Sequence, residues 1–205
     1  MFRGGLVMFP LFLCGIVSVA IMIDRFLAIG AAVSDNRTLL KRVEEHLRAG
    51  RAAQALQECE RSPGRVAKVI AGGVRTHHLD HVSIERAMEE IALKEMPVLV
   101  ERLGVLDTIV TLAPLLGLLG TVTGMISAFH VVGASSGLGN PNAITGGVSE
   151  ALIATCTGLT IAIVTLPVYN FLSERVKQNV GEMEYRATQL MNLFADLEHA
   201  KERTA

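Results

Sequence analysis

The sequence is short of charge. Asp, Glu, Lys and Arg make up 19% of its 205 residues, against about 25% in soluble domains, and half of the residues are apolar. The shortage is local: no charged residue lies between Gly4 and Ile23, and from Thr108 to Ser173 the only one is Glu150. That layout excludes an ordinary globular enzyme domain, and a mean hydropathy of +0.42 excludes a disordered chain. Tryptophan is absent and aromatics reach only 4%, so there is no girdle of interfacial Trp. A net charge of −1 gives no reason to expect nucleic acid as a partner. Cys14, Cys59 and Cys156 lie far apart without metal-ligand spacing and read as small buried hydrophobes. No hydrolase, kinase or P-loop motif is present. Gly117-Leu-Leu-Gly120 and Gly137-Leu-Gly139 match no phosphate cradle, and one membrane glutamate does not make the paired acid of an intramembrane protease. The expectation is a protein that is not an enzyme and carries no cofactor or metal.

What the sequence has instead is apolar length. About 20 apolar residues carry a helix across a bilayer. Gly4–Ile23 supplies one such stretch. The segment 108–173 is long enough for two, and its middle, Gly133-Ala-Ser-Ser-Gly-Leu-Gly-Asn-Pro-Asn142, is turn chemistry throughout. The expected fold is an all-α membrane protein with three transmembrane helices, the second and third extended into the cytoplasm as a helical bundle. Its segments are a first span at 1–26, a cytoplasmic helical region at 27–106, a second span at 107–132, a periplasmic turn at 133–142, a third span at 143–173 and a cytoplasmic helical tail at 174–205. Of the 19 Lys and Arg residues, 13 lie in 24–107, five follow Ser173 and none lies in 133–142. The positive-inside rule then places the N-terminus and the turn outside and the C-terminus in the cytoplasm. Arg3, the apolar run and Ala31-Ala-Val33-Ser34 resemble a signal peptide. The run is too long for one, however, and Asp24-Arg25 intervenes, so a retained span is expected.

In the charged region, Leu39, Leu40, Val43 and Leu47 make one helical face, Gly50 breaks it, Ala52–Cys59 resumes and Pro63-Gly64 ends the unit. Val66–Val74 reads as a third short helix. Ser83 is a plausible N-cap with Glu85 in the first turn. No strong stop follows before Gly133, so a helix over 84–132 is expected, about 73 Å long and kinked at Pro97 and Pro114. In the tail, Val176, Val180, Met183, Ala187, Leu190, Phe194 and Leu197 step by four and three, a heptad seam. The third span should therefore continue as a helix to about Ala200, its seam meeting the helix at 84–106 or a neighbouring subunit.

Within the spans, Glu150 is the one formal charge. A central charge costs about 2.5–3.5 kcal/mol on insertion scales, so it either faces a cavity or partner or sits wet at the outer boundary. The spans also hold Thr108, Thr111, Thr121, Thr123, Thr145, Thr155, Thr157, Thr160 and Thr165. Most should return the hydroxyl to the i−4 carbonyl. Counting from the outer ends, Thr121 and Thr155 lie at about the same level near the midplane, and Thr155 has small neighbours in Ala151 and Gly158. Such a face suits close packing or a narrow polar path. Gly120, Gly124 and Ala128, with Ala154, Gly158 and Ala162, repeat small residues every fourth position, the pattern of close helix contact. His77, His78 and His81 fit a metal cluster or a solvated turn, and His130 an interfacial or a proton-accessible group.

Leu112-Ala-Pro-Leu-Leu-Gly-Leu-Leu-Gly-Thr-Val-Thr-Gly-Met-Ile126 resembles the signature of the MotA/TolQ/ExbB proton-channel family. Val148-Ser-Glu-Ala-Leu-Ile-Ala-Thr-Cys-Thr-Gly-Leu-Thr-Ile-Ala-Ile163, followed by Tyr169-Asn170, resembles a second block. Gly4-Gly5, Met8-Phe-Pro-Leu11, Ile23-Asp-Arg-Phe26 and Leu47-Arg-Ala-Gly50 are similar to ExbB-like members. Pro167 stands three residues later than the family's proline. Four-span MotA proteins, with their larger cytoplasmic domain, are less similar. The resemblance implies a homopentamer in the bacterial inner membrane whose second and third spans line a pore. It also implies an ExbD-like single-span partner with a membrane Asp, and delivery of proton-driven work to a TonB-like protein. By motif, Thr121 and Thr155 match the pore threonines and Glu150 the family's membrane glutamate. It leaves open a TolQ-type role in envelope maintenance. A scaffold without ion flow is the rival from another class.

Overall fold

The computed structural model of the chain describes residues 5–30, 36–134 and 141–204, the side chains of 28–30, 131–134, 141–144 and 201–204 excepted. The described residues form seven α-helices and no strand: α1 (Met8–Gly30), α2 (Asn36–Arg48), α3 (Ala52–Arg61), α4 (Arg65–Arg75), α5 (His81–Val100), α6 (Leu103–Ala134) and α7 (Pro141–Thr204). Gly4, the Ala31–Ser34 stretch and most of the 133–142 turn lie outside the described residues. The apolar stretches long enough to cross a membrane fall in Met8–Leu27, His81–His130 and Thr145–Ala200. The protein is an all-α membrane protein. Side chains such as Phe9, Leu115, Ile126 and Ile163 are more than half exposed on these helices, an apolar surface that water does not tolerate over such lengths.

Contacts divide the chain into two units, Met1–Arg25 with Arg102–Leu172, and Phe26–Glu101 with Ser173–Ala205. In the second unit α2 packs on α3, α3 on α4 and α4 on α5. Gly50 ends α2 because its φ of +71° lets its N–H reach the Leu47 carbonyl and that of Arg51 the His46 carbonyl, a Schellman closure. Along α4 nearly every residue from Val66 to Val74 is buried. A methyl on Gly73 would sit 2.6 Å from Met88 Sδ and 2.8 Å from Leu190 Cδ2, so bare backbone here lets α5 and α7 close in. The partner of the tail seam, with Val176, Met183, Leu190 and Phe194 buried, is thus found within this chain. Glu95 of α5 joins Arg65 at 2.7 Å and Lys68 at 2.6 Å on α4.

The helix expected over 84–132 is two helices. Pro97 has no N–H for the Leu93 carbonyl, which weakens the last turn of α5. Glu101 then leaves the helical region (φ −48°, ψ 134°) and Arg102 is left-handed (φ 63°). Neither residue is glycine, so no sequence signal marks the stop. Arg102 donates to Asp24 at 3.0 Å, and Asp24 also accepts from Arg25 at 3.1 Å. The cap of α5 is Asp80 rather than Ser83. Asp80 accepts from the Ser83 N–H at 3.3 Å and from its hydroxyl at 2.6 Å, so the two residues close the first turn together. The first helix begins at Met8 and continues past Ile23 through Asp24-Arg25 to Gly30. The third apolar helix continues without a break to Thr204.

Candidate functional site

The site lies in the first unit, where α6 and α7 run antiparallel in close contact. Their seam is built from residues with little or no side chain. A methyl on Gly120 would sit 2.5 Å from Ala154 Cβ, and one on Gly124 2.9 Å from Ala151 Cβ and 3.0 Å from the Gly147 carbonyl. A methyl on Gly158 would run into the Ala113 carbonyl, and one on Gly117 would lie 3.0 Å from Thr155 Cα. The expected packing residues Gly120, Gly124 and Gly158 all sit on this seam, and all three are buried. Gly117 and Gly147 share it and were not singled out from the sequence. The signal for Gly117 was available: 117, 120 and 124 step by three and four on one face.

Seven of the span threonines turn back on their own helix, as expected. Thr108, Thr123, Thr157, Thr160 and Thr165 donate to i−4 carbonyls, Thr111 to Asp107 and Thr108, and Thr121 to Leu118 at 2.6 Å. Thr155 differs. Its hydroxyl crosses to α6 and donates to the Gly117 carbonyl at 2.9 Å. Gly117 allows the approach, since a methyl there would press on Thr155 Cα at 3.0 Å and on the Ala154 carbonyl at 3.2 Å. Thr121 and Thr155 are therefore not in contact. From the pairing along the seam they differ in height by about one helical turn. Both residues are partly exposed.

Glu150 is partly buried, and its carboxylate lies against Gly5, the residue before the α1 turn, whose φ is +69°. It does not meet either threonine. Leu11, Ile109, Ala113 and Ala154 are fully buried where α1, α6 and α7 meet, with Cys14, Val17, Leu116 and Ile161 around them. Ser18 and Thr165, each 1% exposed, join α1 to α7 through hydroxyls 2.7 Å apart. Ser18 was missed. Its signal is the α1 register Val7, Leu11, Cys14, Ser18, Ile21, Arg25, a seam whose members are buried or half-buried while Phe9, Phe12, Leu13 and Ile16 face out. Of the cysteines, Cys59 is buried, Cys14 half-buried and Cys156 exposed; the last differs from the expectation because it lies on the same exposed side of α7 as Leu152 and Ile153. His77 hydrogen-bonds the Val74 carbonyl at 2.8 Å and meets His78 edge-on, while His81 reaches Glu198 at 2.9 Å. These histidines turn to separate partners. His130 is exposed.

Residues 37–185 match the model of the MotA/TolQ/ExbB proton channel family. A putative biopolymer transport protein ExbB homolog of Methanothermobacter thermautotrophicus is 33% identical over 142 residues, 69% of this chain and 50% of that protein. A putative biopolymer transport protein ExbB-like 1 of Synechocystis is 31% identical over 194 residues, 90% of this chain and 72% of that protein. The biopolymer transport protein ExbB of Xanthomonas campestris is 32% identical over 144 residues, 70% of this chain and 54% of that protein. The chain thus spans about half the length of the first and third of these relatives.

Proposed function

The chain belongs to the MotA/TolQ/ExbB proton channel family, and from that premise we propose that it is the ring-forming stator subunit of a proton-driven motor. In this reading it forms a homopentamer, multi-pass in the bacterial inner membrane, with its N-terminus periplasmic and its C-terminus cytoplasmic. The second and third spans line a pore that holds an ExbD-like partner with a single membrane Asp. Proton movement through that Asp drives work on a TonB-like protein serving outer-membrane transport. The three relatives above, each a biopolymer transport protein of the ExbB type by name, favour this over a TolQ-type role.

One observation carries the mechanism. The only acid between Thr108 and Ser173 lies beside Gly5, away from both threonines. At the level of Thr155 there is a hydroxyl and no carboxylate, so the proton carrier comes from the partner. A charged carboxylate in low dielectric needs donors. Thr155 would turn its O–H from the Gly117 carbonyl to the charged acid, and would accept from the protonated acid while keeping the bond to Gly117. Interhelical side-chain bonds in membranes average about 0.6 kcal/mol and reach about 1.7, so the exchange is cheap against ionising an unsolvated acid. Thr121 supplies a second hydroxyl on α6, and Glu150 holds the subunit contact or a water pocket.

Proteoliposome flux assays test this. The ring alone is expected to conduct no protons and the ring with its partner to conduct them. Thr155→Val should assemble normally and lose partner-dependent flux, while Thr155→Ser keeps it. Flux through the ring without partner, or full flux in Thr155→Val, overturns the reading.

A further inference from the structure

We propose that Ser18 is a positioning residue for Thr155, acting through Thr165. The inference rests on the reading of Thr155 given above. Ser18 is the polar member of an otherwise apolar stretch of the α1 seam: Val7, Leu11 and Cys14 precede it and Ile21 follows. A serine in a membrane helix ordinarily returns its hydroxyl to its own backbone. Ser18 instead meets Thr165 at 2.7 Å, with both residues 1% exposed. The proton order follows from the geometry. Thr165 has one hydroxyl proton, and it is donated to the Ile161 carbonyl at 2.7 Å. Ser18 must therefore donate to Thr165 Oγ1, giving a directed chain from α1 through α7 to its backbone.

That chain grips α7 on one side, and the Thr155 bond to Gly117 grips it on another. Thr155 and Thr165 are about 15 Å apart along the axis and about 80° apart around it. Other contacts of α7 along the seam are between glycines, alanines and apolar side chains: Gly120 against Ala154, Gly124 against Ala151, Gly15 against Ile161. Contacts of that kind set distance but tolerate small rotation and sliding, because dispersion has no direction. Two directional bonds to two different helices oppose that freedom. They fix the angle at which Thr155 presents its hydroxyl. A small turn of α7 would leave the small-residue seam closed and yet move Thr155 off the Gly117 carbonyl.

The test uses the ring with its partner in proteoliposomes, with assembly measured beside flux. Ser18→Ala and Thr165→Val should each lower partner-dependent flux on the order of tenfold, the scale of one membrane hydrogen bond at its strongest. Both should raise the pH of half-maximal flux, because a less well solvated carboxylate on the partner keeps its proton to higher pH. Ser18→Thr, which keeps a donor, should stay near the parent, and the double variant Ser18→Ala/Thr165→Val should be no worse than either single one. Thr165→Val keeps the shape of the side chain, so it carries the test if Ser18→Ala does not assemble. A purely structural role would lower the amount of ring without moving the pH midpoint, and that result overturns the proposal. Parent-like flux in both single variants, alongside a defective Thr155→Val, also overturns it while leaving the proton-path reading intact. A parent-like Thr155→Val removes that reading itself.

Discussion

At the scale of single residues, environment decides the chemistry of groups that look alike in the sequence. Cys59 is buried, and burial first, then the neighbouring Glu58 and Glu60, pushes its thiol from 9.0 to about 12. At pH 8 the thiolate is then about a thousandfold scarcer than for an exposed cysteine. Alkylation of Cys59 by iodoacetamide should be slow in the folded protein to that degree and should recover on denaturation. Glu95 shows the opposite balance. Partial burial raises its pKa, but the hydrogen bonds from Lys68 and Arg65 outweigh that and hold it below the ordinary 4.5. A carboxylate with a lowered folded-state pKa contributes stability that is complete above the unfolded value and is lost as pH falls through the folded one. The Phe26–Glu101 and Ser173–Ala205 unit should therefore melt progressively more easily below about pH 4.5, and Glu95→Gln should flatten that acid limb in a thermal-shift series. The threonines give the same lesson. Thr155 and Thr157 are indistinguishable by composition, yet Thr155 bonds Gly117 on another helix and Thr157 bonds Ile153 on its own.

At the scale of elements, α7 carries two heptad seams end to end, Gly147, Ala151, Ala154, Gly158, Ile161, Thr165 and Leu172, then Val176, Met183, Leu190 and Phe194 one residue out of step with the first, all buried or half-buried. Only its second part was legible as a seam, because large apolar side chains stand out against charged neighbours there. In the apolar part hydrophobic residues stand on every face of the helix, and the seam is marked by smallness instead. The size step explains the packing. Where α7 meets α6 the backbones touch, so Gly120→Ala should cost about 1–3 kcal/mol as an overpacked contact. Ala154→Gly in the same chain should recover most of it, since the two methyls compete for one space. Thermal unfolding of the ring in detergent reads both, and a double variant no better than Gly120→Ala would contradict the direct contact. The stop between α5 and α6 was illegible because Arg102 takes a left-handed conformation without being glycine, and its pairing with Asp24 joins residues far apart in sequence. The α5 cap was placed three residues late because Ser83 and Asp80 are both good caps, and only the direction of their bonds separates them.

At the scale of the whole molecule, three apolar helices in one chain predict behaviour that no single residue does. The protein should sediment with membranes and resist extraction by alkaline carbonate, yielding only to detergent, because each span buries about 20 apolar residues in the bilayer. Release into the carbonate supernatant would contradict the membrane assignment. Composition and periodicity alone determined the all-α class, the three apolar spans and the charged helical segments between and after them. These are one-dimensional properties: they depend on which residues are apolar and how often they recur. What only the tertiary structure decided is which hydroxyl crosses between helices, which glycine faces which alanine, where Glu150 lies, and that Ser18 reaches Thr165. Those depend on the rotation of each helix against its neighbours, and in a run that is apolar on every face no hydrophobic period records that angle.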